Sequence, residues 1–170
     1  MIGLFLGDTN FSKIVLKKIK KQKIQYFIID FSKNNKFNKD KNSFRISIGR
    51  FGKIIDLIKQ KKCKRVLFAG KISKPNFSSL RLDFKGIYYM PSVIRAAKIG
   101  DAAIIKSIIK ILNNEGIKVI SSIFFNPELS LKTGCYTKLK PNKQDLISIE
   151  KGKFFFNKTK SLDHIQALVV

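Results

Sequence analysis

Ile2-Gly3-Leu4-Phe5-Leu6-Gly7-Asp8-Thr9-Asn10-Phe11, followed by Gln25-Tyr26-Phe27-Ile28-Ile29-Asp30, decides the fold of this chain. The apolar run at residues 2–6 stops at a glycine and reads as a buried strand. Gly7-Asp8-Thr9-Asn10 is a turn rich in helix-capping residues. An amphipathic helix follows, with Phe11, Ile14, Val15 and Ile19 on one stripe and Lys13, Lys17, Lys20 and Lys21 off it. Residues 25–30 form a second buried strand. Strand, tight turn, helix, strand is the opening of a parallel, doubly wound α/β sheet.

The same alternation continues outward. Residues 32–42 are polar, rich in Lys and Asn, and read as a mobile surface loop. Residues 44–48 suit a short strand. Gly49-Arg50-Phe51-Gly52 opens a helix with Phe51, Ile54, Ile55 and Ile58 on one face, and basic residues at 59–64 end it. Arg65–Ala69 is the next strand. Residues 74–86 read as irregular between Pro75 and Gly86, and residues 90–98 as a short helix with Pro91 in its first turn. Asp101 is placed to cap a longer helix whose stripe is Ile104, Ile105, Ile108, Ile111 and Leu112, stopped by Asn113-Asn114-Glu115-Gly116. Residues 117–123 suit another strand, 128–141 a loop and 144–152 a weak helix. The run Ala167-Leu168-Val169-Val170 reads as a strand cut short at the start of something else.

The chain has 170 residues, 44% hydrophobic and 11% aromatic, which suits one domain with a real core and argues against disorder. No apolar run approaches the roughly 18 residues of a membrane span, and the N-terminus lacks a signal-peptide pattern. A cytoplasmic location is expected, with Cys63 and Cys135 as reduced thiols. The net charge of +24 is extreme, from 35 basic against 11 acidic residues. Only five of the 35 are arginine, the residue that base-specific readers favour. The abundance of Lys, Ile, Asn and Phe is the signature of an AT-rich genome, so the charge is read as compositional rather than as a nucleic-acid surface.

The candidate chemistry clusters at predicted strand ends, where open α/β sheets bind ligands. Gly7-Asp8-Thr9 resembles a phosphate-cradling turn, but G-x-G-x-x-G is absent, which argues against a dinucleotide cofactor; a plain capped turn also fits. Gly70-Lys71 offers close backbone approach and a positive charge for a phosphate, or simply a surface lysine. Lys98 and Asp101 flank Gly100 at a helix start, as ligand contacts or as a cap. His164 has no partner suggested by spacing, no metal-ligand cluster is visible, and no serine sits in a G-x-S-x-G context.

Several blocks carry a resemblance. Ile48-Gly49-Arg50-Phe51-Gly52-Lys53, Phe68-Ala69-Gly70-Lys71-Ile72-Ser73-Lys74-Pro75-Asn76-Phe77, Pro91-Ser92-Val93-Ile94 and Ala96-Ala97-Lys98-Ile99-Gly100-Asp101, then Glu115-Gly116, resemble in order and spacing the UDP-2,3-diacylglucosamine pyrophosphatases of lipid A biosynthesis, of the two-domain type and not the metallophosphoesterase type. Asp163 and Gln166, before Val169-Val170, resemble that family's interdomain strand.

The resemblance implies a Rossmann-like N-terminal domain over residues 1–125. It also implies a closing segment and linker over 126–161, and the truncated first strand of a C-terminal catalytic domain at 162–170. It implies hydrolysis of UDP-2,3-diacylglucosamine to UMP and 2,3-diacylglucosamine 1-phosphate with a divalent metal, Mg2+. The expected substrate-binding residues are Gly7, Asp8, Thr9, Gly70, Lys71, Ser92, Lys98, Gly100, Asp101 and Gln166; catalytic and metal-holding residues are expected in the missing half. Departures accompany the matches: the first turn is reduced to Gly7-Asp8-Thr9, Asp101 is followed by Ala102, and His164-Ile165 stands where the family has an apolar residue and glycine. Expected partners are a UDP-diacylglucosamine-type substrate, the cytoplasmic face of the inner membrane, and a separate C-terminal half or a second copy. The competing readings are a non-catalytic remnant and a basic anion-binding module.

Overall fold

The structure, a computed structural model, describes residues 1–73, 75–132 and 134–158. Five strands, β1 (Ile2–Leu6), β2 (Tyr26–Asp30), β3 (Ser43–Phe44), β4 (Arg65–Ala69) and β5 (Lys118–Val119), form one sheet in the order β3-β2-β1-β4-β5. Every pairing is parallel. The helices are α1 (Asn10–Lys21), α2 (Phe51–Gln60), α3 (Phe84–Ile99), α4 (Asp101–Asn114) and α5 (Lys143–Lys158).

β1 is buried along its whole length because both sheet faces are covered. Leu4 and Leu6 point to one face, where Val15 and Ile19 of α1 pack with Ile28 and Leu67. Phe5 points to the other, against Ile29, Val66, Ile55 of α2, Val93 of α3 and Leu112 of α4. This is the three-layer, doubly wound, Rossmann-like architecture expected from the sequence. The strand order reverses between β1 and β4, so a crevice is expected at the carboxyl ends of those two strands.

The central elements match the sequence reading and the edges do not. In α1, Ile14 is exposed while Ser12 and Leu16 are buried, because the helix is turned so that the Ser12 hydroxyl meets the sheet end. Residues 32–42 are tied down: the buried Asp30 carboxylate accepts hydrogen bonds from the Ser32 N–H and hydroxyl and from the Phe37 N–H, and Phe37 itself is buried. The strands expected at 44–48 and 117–123 shrink to two residues each, as edge strands paired on one side only. Residues Ser122–Phe125 instead form a 3-10 turn.

α3 starts at Phe84, six residues earlier than expected, so Pro91 lies inside the helix rather than in its first turn. Asp83 is the reason, since its carboxylate caps the new start through the Gly86 N–H at 2.8 Å. Asp101 does not cap α4; Gly100 holds that position and Asp101 is the first helical residue. α5 runs longer than the weak helix expected and buries no residue. Both cysteines are free thiols. The expected strand at 162–170, with Asp163, His164 and Gln166, lies outside the described residues, as does Lys74 of the central block. Among the described residues no helix is long and apolar enough to cross a membrane.

Candidate functional site

The carboxyl ends of β1 and β4 are sewn together. The Gly7 N–H donates to the Ala69 carbonyl at 2.9 Å and the Asp8 N–H to the Lys71 carbonyl at 2.8 Å. The buried Ser12 hydroxyl lies 2.9 Å from the Gly7 carbonyl and 2.8 Å from that of Ala69, with one proton to share between them. A Cβ on Gly7 would stand 2.2 Å from the Lys71 carbonyl oxygen. Gly70, at φ +84°, would place a Cβ 2.1 Å from the Ser12 hydroxyl. These glycines are required for contact between the two loops.

Asp8 is also occupied. Its carboxylate accepts from the Lys33 N–H at 3.1 Å and faces the Lys36 ammonium at 3.4 Å. The Lys33 N–H first, with Lys36 assisting, holds the carboxyl below its usual range. Thr9 precedes α1 without a side-chain capping bond.

The open space lies beside this seam. A cleft of about 610 Å³ runs between the loop after β4, with Gly70, Lys71 and Ile72, and the helices α3 and α4. Phe68, Met90, Val93, Ile104 and Ile108 make its walls largely apolar, and Lys71 and Asp101 are its charged lining. The stripe of α4 is split between two tasks. Ile111 and Leu112 are buried in the core, whereas Ile104 and Ile108 are half-buried and Ile105 is exposed along the cleft. A second hollow of about 360 Å³, with Asp30, Arg45, Ser47 and Ser73 among its mixed lining, adjoins it and shares Ile48, Ile72 and Ser73 with it. Arg45 stands there, donating from Nη1 to the carbonyls of Asp30 and Ser32.

The anticipated residues therefore fall into separate groups. Gly70, Lys71 and Asp101 meet on the cleft. Gly7, Asp8 and Thr9 form the seam next to it. Ser92 is turned between α3 and α4, donating to the Tyr89 carbonyl at 2.8 Å and lying 3.4 Å from the Ser107 hydroxyl. Lys98 is exposed in the last turn of α3. Gly100 is the joint between α3 and α4, and its N–H donates to the Ala96 carbonyl. Gln166 lies outside the described residues.

Three polar anchors escaped the sequence reading. Asp83 accepts from the Gly52, Lys53 and Gly86 N–H groups, joining the starts of α2 and α3. Burial opposes its charge, but those N–H groups override it and hold the carboxyl below its usual range. Glu115 accepts from Lys59 at 2.7 Å, Lys85 at 2.6 Å and the Tyr89 hydroxyl at 2.9 Å. Lys59 first, then Lys85, lowers its carboxyl to about 2. Arg45 gave no local signal. Asp83 did give one, an aspartate three residues before Gly86 and ahead of an apolar run, but Pro91 drew the helix start away from it.

A divalent cation of the kind expected needs several oxygen donors grouped in one place. Among the described residues no group of three or more His, Cys, Asp or Glu side chains could hold an ion. Asp101 on the cleft is one such donor, and a site needs several.

Residues 1–129 match the LpxI N-terminal domain. UDP-2,3-diacylglucosamine pyrophosphatase LpxI of Caulobacter vibrioides (strain ATCC 19089 / CIP 103742 / CB 15) is 32% identical over 125 residues, which are 74% of this chain and 45% of that protein. The chain thus spans less than half the length of that relative. Among solved structures, dTDP-glucose 4,6-dehydratase from Bacillus anthracis str. Ames, in complex with NAD, aligns with 96% of this chain and 53% of its own at 13% identity. Its TM-score of 0.38 is too low to establish a common fold. The match over residues 1–129 is shown by sequence, and by it the chain belongs to the LpxI family and carries that family's N-terminal domain.

Proposed function

We propose that this chain acts in lipid A biosynthesis as the substrate-binding half of a UDP-2,3-diacylglucosamine pyrophosphatase. The observation that carries the reading is the apolar cleft at the carboxyl end of β4, with a lysine on its lining and an arginine-bearing hollow beside it. An acylated sugar nucleotide has both parts: chains that gain about 0.8 kcal/mol per buried methylene and phosphates that seek cations. Ile104, Ile105 and Ile108 take the acyl carbon in this reading, and Lys71, beside Gly70, meets a phosphate oxygen. Asp101 at the first turn of α4 faces the sugar. The seam residues Gly7, Asp8 and Thr9 hold the loop that carries Lys71.

Cleavage of the pyrophosphate is assigned to groups outside this domain. Attack of water on such a bond calls for a divalent ion held by several oxygens, and the described residues offer no set of three donors. A Mg2+ ion would draw its ligands from elsewhere. In this reading the work is done at the cytoplasmic face of the inner membrane, and the acyl chains of the proposed substrate support a membrane surface.

Calorimetric titration tests the binding role. UDP-2,3-diacylglucosamine is expected to bind at least about tenfold more tightly than UDP-N-acetylglucosamine, since a few buried methylenes suffice for that ratio. Ile105→Lys is expected to abolish the preference while leaving the fold intact, because Ile105 is half exposed. Equal affinities for the two ligands would overturn the reading. Hydrolysis assayed with and without the C-terminal half of the Caulobacter relative tests the division of labour; turnover by this chain alone would refute it.

A further inference from the structure

α3 is apolar on both sides. Its inner side supplies Met90, Val93 and Ala96 to the core and the cleft. Its outer side carries Phe84, Ile87, Tyr88, Pro91 and Ile94, spaced by three and four residues and therefore on one face. Phe84 is 91% exposed, Tyr88 78% and Ile87 60%. Buried helices are apolar all round, whereas surface helices turn a polar face to water. Nothing among the described residues covers this face, so the sequence of α3 is that of a helix with a further partner.

The charges on the face say which partner. At 100° per residue, Arg95 and Lys98 fall on the same side as Phe84 and Tyr88 in the last two turns of α3. No acidic residue lies between Phe84 and Ile99. A second copy would set this basic face and a chain of net charge +24 against its equal. A nucleic acid would satisfy the cations but leave Phe84, Ile87 and Tyr88 in contact with phosphate and water. An aromatic and aliphatic stripe that carries lysine and arginine and no acid matches a bilayer surface with anionic headgroups.

We propose that the outer face of α3 is a docking surface for an anionic lipid bilayer, with Phe84, Ile87 and Tyr88 inserted at the headgroup level and Arg95 and Lys98 on the headgroup charges. The helix lies in the plane of the interface. The inference does not depend on what the cleft binds, although the same helix forms a wall of that cleft.

The test is sedimentation of the full chain with vesicles, without any sugar nucleotide. Vesicles of phosphatidylcholine mixed equally with phosphatidylglycerol are expected to carry the protein down, and pure phosphatidylcholine vesicles to carry far less. The double variant Phe84→Ser, Tyr88→Ser is expected to lose roughly tenfold in partitioning, from two lost aromatic anchors. Ile14→Ser, which changes an exposed apolar residue on a different helix, α1, is expected to leave it unchanged. Circular dichroism of each variant checks the fold. The chain contains no tryptophan, so Tyr88→Trp gives a reporter whose emission is expected to shift to the blue with anionic vesicles. Sedimentation unaffected by the double variant, or an unshifted tryptophan in sedimented protein, would overturn the proposal. So would concentration-dependent self-association that the double variant abolishes, since a second copy would then be the occupant.

Discussion

Gly7 has no room for a side chain. The position of its absent Cβ is 2.2 Å from the Lys71 carbonyl oxygen, a backbone atom that cannot swing aside. Gly7→Ala must therefore part the β1 and β4 loops and break the Asp8 N–H to Lys71 bond. A loss of about 2 kcal/mol or more is expected in urea unfolding, with weaker ligand binding because Lys71 moves. Ser12→Ala leaves both carbonyls without the shared proton and is expected to cost about 1–2 kcal/mol. Glu115 yields a pH signature. Its folded carboxyl titrates near 2, below the usual 4.5. Its stabilising contribution is thus full above about pH 5 and is lost as the pH falls toward 2. The partner lysines are 52% and 38% exposed, so solvent screening reduces the gain to about 1–2 kcal/mol. Wild type is expected to exceed Glu115→Gln by that amount at pH 7, with the gap closing by pH 2, in paired urea titrations. In the sequence Glu115 read as part of a helix stop and of the Glu115-Gly116 block of the resemblance, with no ionic role, because its partners Lys59 and Lys85 come from 56 and 30 residues away.

At the scale of elements, legibility followed burial. β1 and β4 kept the limits read from their apolar runs, because a strand buried on both faces is specified by its own side chains. β3 and β5 did not, since an edge strand extends only as far as its one neighbour pairs with it. α4 was legible as a helix, but its stripe did not announce that the first half lines a cleft while the second half enters the core. Periodicity reports which side is apolar, not whether protein or ligand covers it. α3 was misread for a different reason. Pro91 suggested a first turn, whereas the start is set by Asp83, which grips the N–H groups of Gly52, Lys53 and Gly86 at once. Asp83→Ala releases three backbone donors at two helix starts. A cost of about 2 kcal/mol is expected in unfolding, above that of an ordinary cap. Because α3 also walls the cleft, ligand affinity is expected to fall with it. Asp83→Asn, which keeps an acceptor, is expected to recover part of both.

At the scale of the whole molecule the governing quantity is charge. The net charge of +24 sits on 170 residues, and the ion pairs among the described residues engage seven basic side chains. Two effects of salt then oppose each other. Screening weakens those pairs, and it also relieves repulsion among the lysines and arginines they leave over. Exposed pairs are worth about 0–1 kcal/mol each, and the basic partner is at least 32% exposed in every pair, although Asp8, Asp30, Asp40 and Glu115 are partly or fully buried. Repulsion acts between many more charges and reaches about 30 Å at 0.01 M salt but only about 8 Å at 0.15 M. Relief of repulsion should win, since a net charge this large destabilises the compact state. The thermal midpoint is therefore expected to rise by several degrees between those two salt concentrations at pH 7, where a gain of 1 kcal/mol corresponds to roughly 2–4 °C for a chain of this size. The opposite slope in a salt series followed by circular dichroism would mean that the few ion pairs dominate. Lysines that stabilise nothing internally remain free to meet an anionic surface, and the same salt series run on vesicle sedimentation should move the other way, with binding falling as the midpoint rises.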